Sequence, residues 1–496
     1  MSLVELPQHA AIHVISDIHM GGQPGFQILR EAGRLANYVR RLAAERPGES
    51  VALVLNGDVF DTLAEDLGGA YVAIEQSQQV VGRIMGDESF GPIWDALAQF
   101  ARTPGRCLVF VIGNHDIEVA FPAVQRLILA RLAGDDLAAR ARVEFSTTGA
   151  GYTCRVGEAR VYCTHGNEVD AWNYNRYEDL ARVGRRLNAD QPFDGAQWRP
   201  NAGTKMVKEV MNAVKRRYAW IDLLKPENSA AVGTLMVIDP GQMQKLGELV
   251  GIVGEQVRGQ GQLDQRLSAD GFAEPAAAAS ATPAALEQLL GPNLRAAQQP
   301  HRAADDMLLA AEGQLAGAPA APPGDATLGT GQLIWDRLTG WIRGIDKPEA
   351  LRRALLDWLK GDKTFDPADP DATCADVMKT VGPGVDIVVT GHTHLARALR
   401  LDDGRLYFNS GTWIRLMRFT EAMLRDTAAF KPVYDTLIDG RMATLDAAQV
   451  GGQPLVLDWT TEIEIAADGA GVRGRLNRIE GDGKAAPTVL GELRRG

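Results

Sequence analysis

A chain of 496 residues has room for two or more domains, or for one domain carrying a large insertion. Its hydrophobic content of 45% and charged content of 23% are ordinary for a soluble globular protein, and its net charge of −11 argues against a general nucleic-acid binder, which needs a basic surface. The four cysteines show no CxxC spacing, which speaks against a zinc knuckle and for reduced thiols in a cytoplasmic protein. Met1 to Ala11 has no basic region followed by an apolar one, so no signal peptide is read. No stretch reaches the roughly 18 apolar residues of a membrane-spanning helix, although contact with a membrane surface stays compatible with the sequence.

Short apolar runs recur along the chain, each ending in a polar motif. Ile12-His13-Val14-Ile15 leads into Asp17, and Val51 to Leu55 leads into Asn56-Gly57-Asp58. Cys107 to Ile112 leads into Gly113-Asn114, Ala159 to Cys163 into His165, and Asp386 to Val389 into Gly391-His392. Runs this short and rich in valine and isoleucine predict buried strands. Helical patterns over Phe26 to Glu45 and Trp94 to Arg102 lie between the first three, so a layered α/β architecture is expected. In such sheets ligands gather beyond the carboxyl ends of the strands, which is where every motif falls.

Gly166 and Gly391 stand 225 positions apart, far more than a sheet connection requires. The interval reads as a mostly helical insertion or cap over 168–382, dividing a core into 10–167 and 383–496. Within it, Gly203 to Leu224 has apolar residues at helical spacing, and Leu351, Leu355 and Leu359 follow a Pro348 helix start. The Ala/Pro-rich segments Ala273 to Ala285 and Leu315 to Gly324 make about 268–328 a low-complexity stretch with no chemistry of its own. After the last motif, Leu406 to Asn409 predicts a strand and Glu421 to Leu437 a helix. Thr461 to Ile465 and Val472 to Leu476 predict a hairpin around Asp468-Gly469.

Five of the eight histidines fall inside the motifs: His19, His115, His165, His392 and His394. Any one motif alone is more often turn chemistry than a site, but five in order supply imidazole, carboxylate and amide ligands for two divalent cations. Asp58 is placed to bridge them, with Asp17, His19 and His394 on one side and Asn114, His165 and His392 on the other. Nitrogen and oxygen donors without thiolate suit Mn best, with Fe, Zn, Ni or Co also fitting. The chemistry expected is attack of a metal-bridging hydroxide on a phosphate ester. His115, next to Asn114, is expected to face the substrate as the catalytic group outside the metals, oriented by Asp116. Asp61 is read as a supporting or ordinary loop carboxylate.

These blocks resemble those of the calcineurin-like metallophosphoesterase superfamily, over about residues 10–167 and 385–415. The resemblance implies a four-layer αββα sandwich with a two-metal site. It assigns Asp17, His19, Asp58 and His394 to one metal, Asp58, Asn114, His165 and His392 to the other, and a catalytic role to His115. Asp61-Thr62-Leu63 and Asp116 depart from the Ser/Thr protein phosphatases, which have Asp-Arg-Gly and Glu there. The chain is more similar to the bacterial branch that includes UDP-2,3-diacylglucosamine hydrolase. It shares Gly57-Asp58-x-Phe60, a helical segment after His165-Gly166, and Gly-His-Thr-His, but has His115 where that hydrolase has Arg.

Two features of the insertion bear on substrate. Gly203 to Lys225 carries six cations (Lys205, Lys208, Lys215, Arg216, Arg217, Lys225) against Glu209 and Asp222. This is a solvated helix face or a cap whose Arg216 and Arg217 hold substrate phosphates. Trp172, Tyr174 and Arg176 begin soon after Gly166 and are candidates for a base, sugar or acyl chain, with packing of a helix start equally open. The substrate expected is a small phosphorylated or lipid-linked molecule with a phosphodiester or pyrophosphate bond. A cyclic-nucleotide phosphodiesterase, a broad phosphomonoesterase and a metal-stabilised interaction module are the alternatives.

Overall fold

A computed structural model describes residues 5–224, 232–239, 259–267, 346–359, 363–469 and 471–495. The Ala/Pro-rich stretch expected over 268–328 lies outside the described residues.

Two sheets form the frame. The first is built on β2 (Ala11–Ile15), β3 (Val51–Asn56), β4 (Arg106–Val111) and β5 (Val143–Ser146), which run parallel and in that order. Beside β2 an antiparallel meander adds β15 (Thr461–Asp468), β16 (Gly471–Arg478) and β17 (Thr488–Arg495). The second sheet has the order β1 (Gln8–His9), β6 (Tyr152–Val156), β7 (Ala159–Cys163), β8 (Ile387–Thr390), β10 (Leu406–Ser410), β9 (Ala396–Arg400). In it β7, β8 and β10 are mutually parallel. Two small ribbons, β11 (Arg415–Met417) with β14 (Val456–Asp458) and β12 (Gln449–Val450) with β13 (Gln453–Pro454), complete the strands.

The period-two alternation of a strand explains the layering. Ile12 and Val14 of β2, Ala52 and Val54 of β3, and Val109 and Val111 of β4 face the second sheet. There they meet Cys154, Val161, Ile387, Val389 and Phe408. The alternate residues Leu53, Leu55, Leu108 and Phe110 face helices α1 (Ala32–Ala44), α2 (Ser77–Met85), α3 (Gly91–Arg102) and α4 (Pro122–Ala133). On the far side Val388 and Tyr407 pack against Cys374 and Val377 of the helix Ala372–Thr380. The result is the expected αββα sandwich. Strands covered on both faces are apolar throughout, which is why Val51 to Leu55 and Ile387 to Val389 show no polar alternation.

Between β7 and β8 the regular elements among the described residues are all helical. The helix expected over Phe26 to Glu45 is shorter: α1 begins at Ala32, and the carbonyls of Gln27 and Ile28 accept from the Arg415 guanidinium instead of closing a helical turn. The helix expected over Glu421 to Leu437 is broken where the Asp426 carboxylate caps a new start by accepting from Ala429 N at 2.8 Å. No helix among the described residues is long and apolar enough to cross a membrane. All four cysteines are free thiols.

One ionic cluster fastens the C-terminal meander to the core. His13 Nδ1 lies 2.9 Å from Glu462 Oε2, the same carboxylate accepts from the Tyr38 hydroxyl, and Glu45 approaches His13 Nε2 at 3.5 Å. Burial favours the neutral imidazole, but Glu462 and Glu45 carry the His13 pKa from 6.5 up to about 10. A pKa raised on folding contributes its full stability below pH 6.5 and loses it as pH climbs towards 10. Wild-type urea unfolding should therefore show a falling midpoint between about pH 6 and pH 10, and the double variant His13→Leu/Glu462→Leu a flatter one. Glu462→Ala alone strands a buried cation and should cost about 3–5 kcal/mol.

Candidate metal centre

The five motifs occupy the loops that leave the carboxyl ends of β2, β3, β4, β7 and β8, so both sheets deliver side chains to one place. Delivery requires unusual backbone. Asp17 (φ 54°), His19 (52°), Asp58 (52°), His392 (70°) and His394 (61°) all adopt the left-handed region, and among the described residues only Arg46 and Asp190 join them as non-glycine examples. Such conformations cost free energy and persist where the surrounding fold over-determines them, which is typical of functional sites. Two glycines make room: a Cβ at Gly57 would overlap the His165 ring, and one at Gly113 would overlap the Asp58 carboxylate.

The donors converge at ligand spacing. Asp17 Oδ1 is 3.1 Å from His394 Nε2, His394 Nε2 is 3.2 Å from His19 Nε2, and Asp58 Oδ2 is 3.3 Å from His165 Nε2. Donors sharing one ion at about 2.1 Å stand about 3.0–3.4 Å apart, so these separations fit a coordination shell. Asp58 Oδ2 is also 3.8 Å from His19 Nε2, which puts this carboxylate between the two groups. Asp17 Oδ1, Asn114 Oδ1 and His165 Nε2 are buried and make no hydrogen bond, a costly arrangement unless a cation is their partner. Asp17, His19 and His394 form one group able to hold an ion, and Asp17, Asp58 and His165 a second. Asp17 thus approaches both groups, whereas the resemblance implied sharing by Asp58 alone.

The electrostatics agree. Burial works against a charge on His165, yet Asp58 and Asp17 lift its pKa to about 10. A site that binds a proton so strongly is attractive to any cation. His19, by contrast, is lowered to about 4 by burial and by neighbouring His115, leaving its nitrogen free to coordinate.

His115 stands at the open side of the group, its side chain 21% exposed and its ring 4.7 Å from that of His19. Its Nδ1 lies 3.0 Å from Asp61 Oδ1, so the carboxylate expected from Asp116 is supplied by Asp61. The Asp116 carboxylate turns inward and accepts from Val59 N (2.7 Å) and Gly113 N (2.8 Å), pinning two ligand loops together. Burial, with Asp58 nearby, pushes the Asp116 pKa up to about 7. Asp61 stays charged despite burial, held well below the usual carboxylate range by His115, with His19 and Lys215 adding to it. Asp116 therefore braces loops, and its expected role as the partner of His115 is corrected.

The segment after Gly166 contributes a residue that sequence reasoning missed. Asp170 Oδ2 sits 2.9 Å from His392 Nε2 and also accepts from Asn173 Nδ2 (2.7 Å), while Asp170 Oδ1 accepts from Trp172 N (2.9 Å). This fixes the His392 ring with Nδ1 as its remaining nitrogen. The only sequence signal is a carboxylate five positions after His165. Asn175 likewise donates to Gly113 O at 2.8 Å. Trp172 and Tyr174 are buried in the core, and Arg176, 8% exposed, donates to Gln262. Residues 202–215 form helical turns, with a π segment at Met206–Met211, that cover the loop after Asp61. Lys208 Nζ donates to Glu65 O and Asn212 Nδ2 to Leu63 O. Arg216 and Arg217 lie beyond these turns and line a separate cavity.

A family model, calcineurin-like phosphoesterase, matches residues 10–216. The match holds four of the five ligand blocks, and His392 and His394 join them in space from beyond it. No curated protein and no solved structure matches the chain. Members of this family are metal-dependent phosphoesterases that use divalent ions, and with its Asp/His cluster intact the chain is a metal-dependent phosphoesterase.

Partners that orient a ligating imidazole usually matter about 10–100-fold in metal affinity. Asp170→Asn should weaken metal binding by about that factor without unfolding the protein, which a metal titration followed by mass spectrometry would measure.

Proposed function

We propose that this enzyme cleaves a phosphodiester or pyrophosphate bond in a small nucleotide-linked or lipid-linked substrate, using two divalent ions, Mn before Fe, Zn, Ni or Co. The observation carrying this reading is the pair of adjoining donor groups with the Asp58 carboxylate between them and the His115 ring open beside them. Asp17, His19, Asp58 and His394 would hold one ion, and Asp58, Asn114, His165 and His392 the other. Bound ions supply an activated water and neutralise charge on the phosphoryl oxygens. Despite its burial Asp58 is kept ionised by the neighbouring imidazoles, His165 above all, and it is oriented by the His115 backbone N–H, which donates to its Oδ1 at 2.8 Å. Asp61 holds His115 Nδ1 and so orients the ring, and in the imidazolium form its Nε2 proton would stabilise the oxyanion or pass to the leaving oxygen. Asp170 keeps Nδ1 of His392 available for coordination.

Gly57-Asp58-Val59-Phe60 and Gly391-His392-Thr393-His394 support placing the enzyme near the UDP-2,3-diacylglucosamine hydrolase branch. His115 in place of the Arg of that hydrolase speaks against carrying its substrate over.

Bis-p-nitrophenyl phosphate should turn over with added Mn²⁺, and Asp58→Ala or His392→Ala should abolish the activity. Metal bound without turnover of any phosphoester in a panel of nucleotide-sugars, cyclic nucleotides and lipid diphosphates would sink the proposal. His115→Ala should lower kcat by about 10²–10⁴ with metal content unchanged. Asp61→Asn should lower kcat less, again with metal retained, whereas Asp116→Asn should act on thermal stability through the Val59 and Gly113 contacts.

A further inference from the structure

A cavity of about 510 Å³ lies apart from the metal ligands, none of which lines it. Arg30, Arg216, Arg217, Arg415 and Arg441 contribute five guanidinium groups to its wall, against the single carboxylate of Asp446. In a chain of net charge −11 this concentration of one sign is unexpected. The volume is that of a ligand pocket rather than of a packing defect.

The arginines divide into two sets. Arg415 and Arg30 are committed to the fold: Arg415 pairs with Asp446 and holds the Gln27 and Ile28 carbonyls, while Arg30 pairs with Asp446 and Asp458. Arg216 and Arg217 are exposed, and neither forms an ion pair with a carboxylate among the described residues. Arg217 instead lies over the Tyr218 ring at 5.3 Å. Nearby Arg441, itself exposed, pairs with Asp439 at 3.0 Å. These groups are held in place by backbone. Ala219 N donates to Gly440 O at 2.8 Å, and a Cβ at Gly440 would overlap the Arg217 carbonyl, so positions 216–219 and 440–441 are docked on each other. Between the cations the lining is apolar, with Phe26, Leu29, Phe90 and Met442.

Planar guanidinium groups match the geometry of phosphate oxygens, and Arg216 and Arg217 have no carboxylate partner among the described residues to compete with one. The apolar wall between them has nothing to offer a bare inorganic ion but would bury a hydrocarbon or ring. We propose that this pocket is a binding site for an amphiphilic organic phosphate, with its phosphate on Arg216, Arg217 and Arg441 and its apolar part against Phe26, Leu29, Phe90 and Met442. The proposal does not depend on which bond the metal centre cleaves.

Octylphosphonate, whose C–P bond resists phosphoester hydrolysis, is a suitable probe for calorimetric titration into the metal-loaded full chain. Binding should survive removal of metal by chelation, exceed that of methylphosphonate, and weaken about tenfold or more in Arg216→Ala/Arg217→Ala and measurably in Arg441→Ala. Metal content at the wild-type level would report that the variants fold. Competition with substrate that disappears in the double variant would assign the pocket to the remote end of the substrate. Binding with no effect on KM would assign it to a separate effector, and either result supports the site. Equal affinity in wild type and both variants, or binding that vanishes on chelation, would overturn it.

Discussion

The arrangement of this molecule is governed by two buried carboxylates, Asp17 and Asp58, brought close together at the ends of adjacent parallel strands. Two such charges in a low-dielectric setting repel and desolvate each other, and the fold can hold them only by surrounding them with donors or cations. Much of the local structure serves this need. His392 N donates to Asp17 and His115 N to Asp58, while the left-handed residues curve each loop so that its donor points inward. The sandwich supplies the rigidity: its inter-sheet core of valine, isoleucine and cysteine gives the loops fixed anchor points. Strain at the rim is tolerable because the strands beneath it have nowhere to move.

The three aspartates near His115 show how neighbouring carboxylates are given different work by their surroundings. Asp58 is ionised among imidazoles, Asp61 is ionised against one imidazole, and Asp116 is buried among backbone amides with its pKa pushed up to about 7. Chemically identical groups are thus placed as candidate ligand, as the partner of His115 and as a brace. In the sequence both Asp61 and Asp116 adjoin a motif, and their distances along the chain say nothing about which one faces the His115 ring. Only the fold of the β3 and β4 loops, which crosses Asp61 over to His115 while Asp116 turns back beneath Val59, separates them.

Strands such as β3 and β8 were legible because their burial on both faces leaves an unbroken apolar signal, and the candidate ligands stood out because they follow the ends of strands. Elements decided by tertiary contacts were not. β5, β6 and β17 alternate or carry charged residues, and the segment 26–31 stays irregular only because Arg415, far along the chain, takes its carbonyls. Asp170 was illegible for the same reason, since its partner His392 lies 222 positions away. At Trp172 and Tyr174 the sequence left a ligand surface and helix packing equally open, because composition cannot tell a buried ring from an exposed one; both rings are buried.

The pairing of β15 with β2 joins residues near opposite ends of the chain, and β7 with β8 joins the two flanks of the long insertion. Each sheet is therefore woven from strands on both sides of the interval between Gly166 and Gly391. A peptide bond cut inside that interval would separate the covalent chain but not the hydrogen-bonded one. The enzyme is in this sense a two-part assembly made from a single polypeptide. During synthesis on the ribosome the same weave delays the catalytic site until β8 and the meander have emerged, long after the first four ligand blocks are in place.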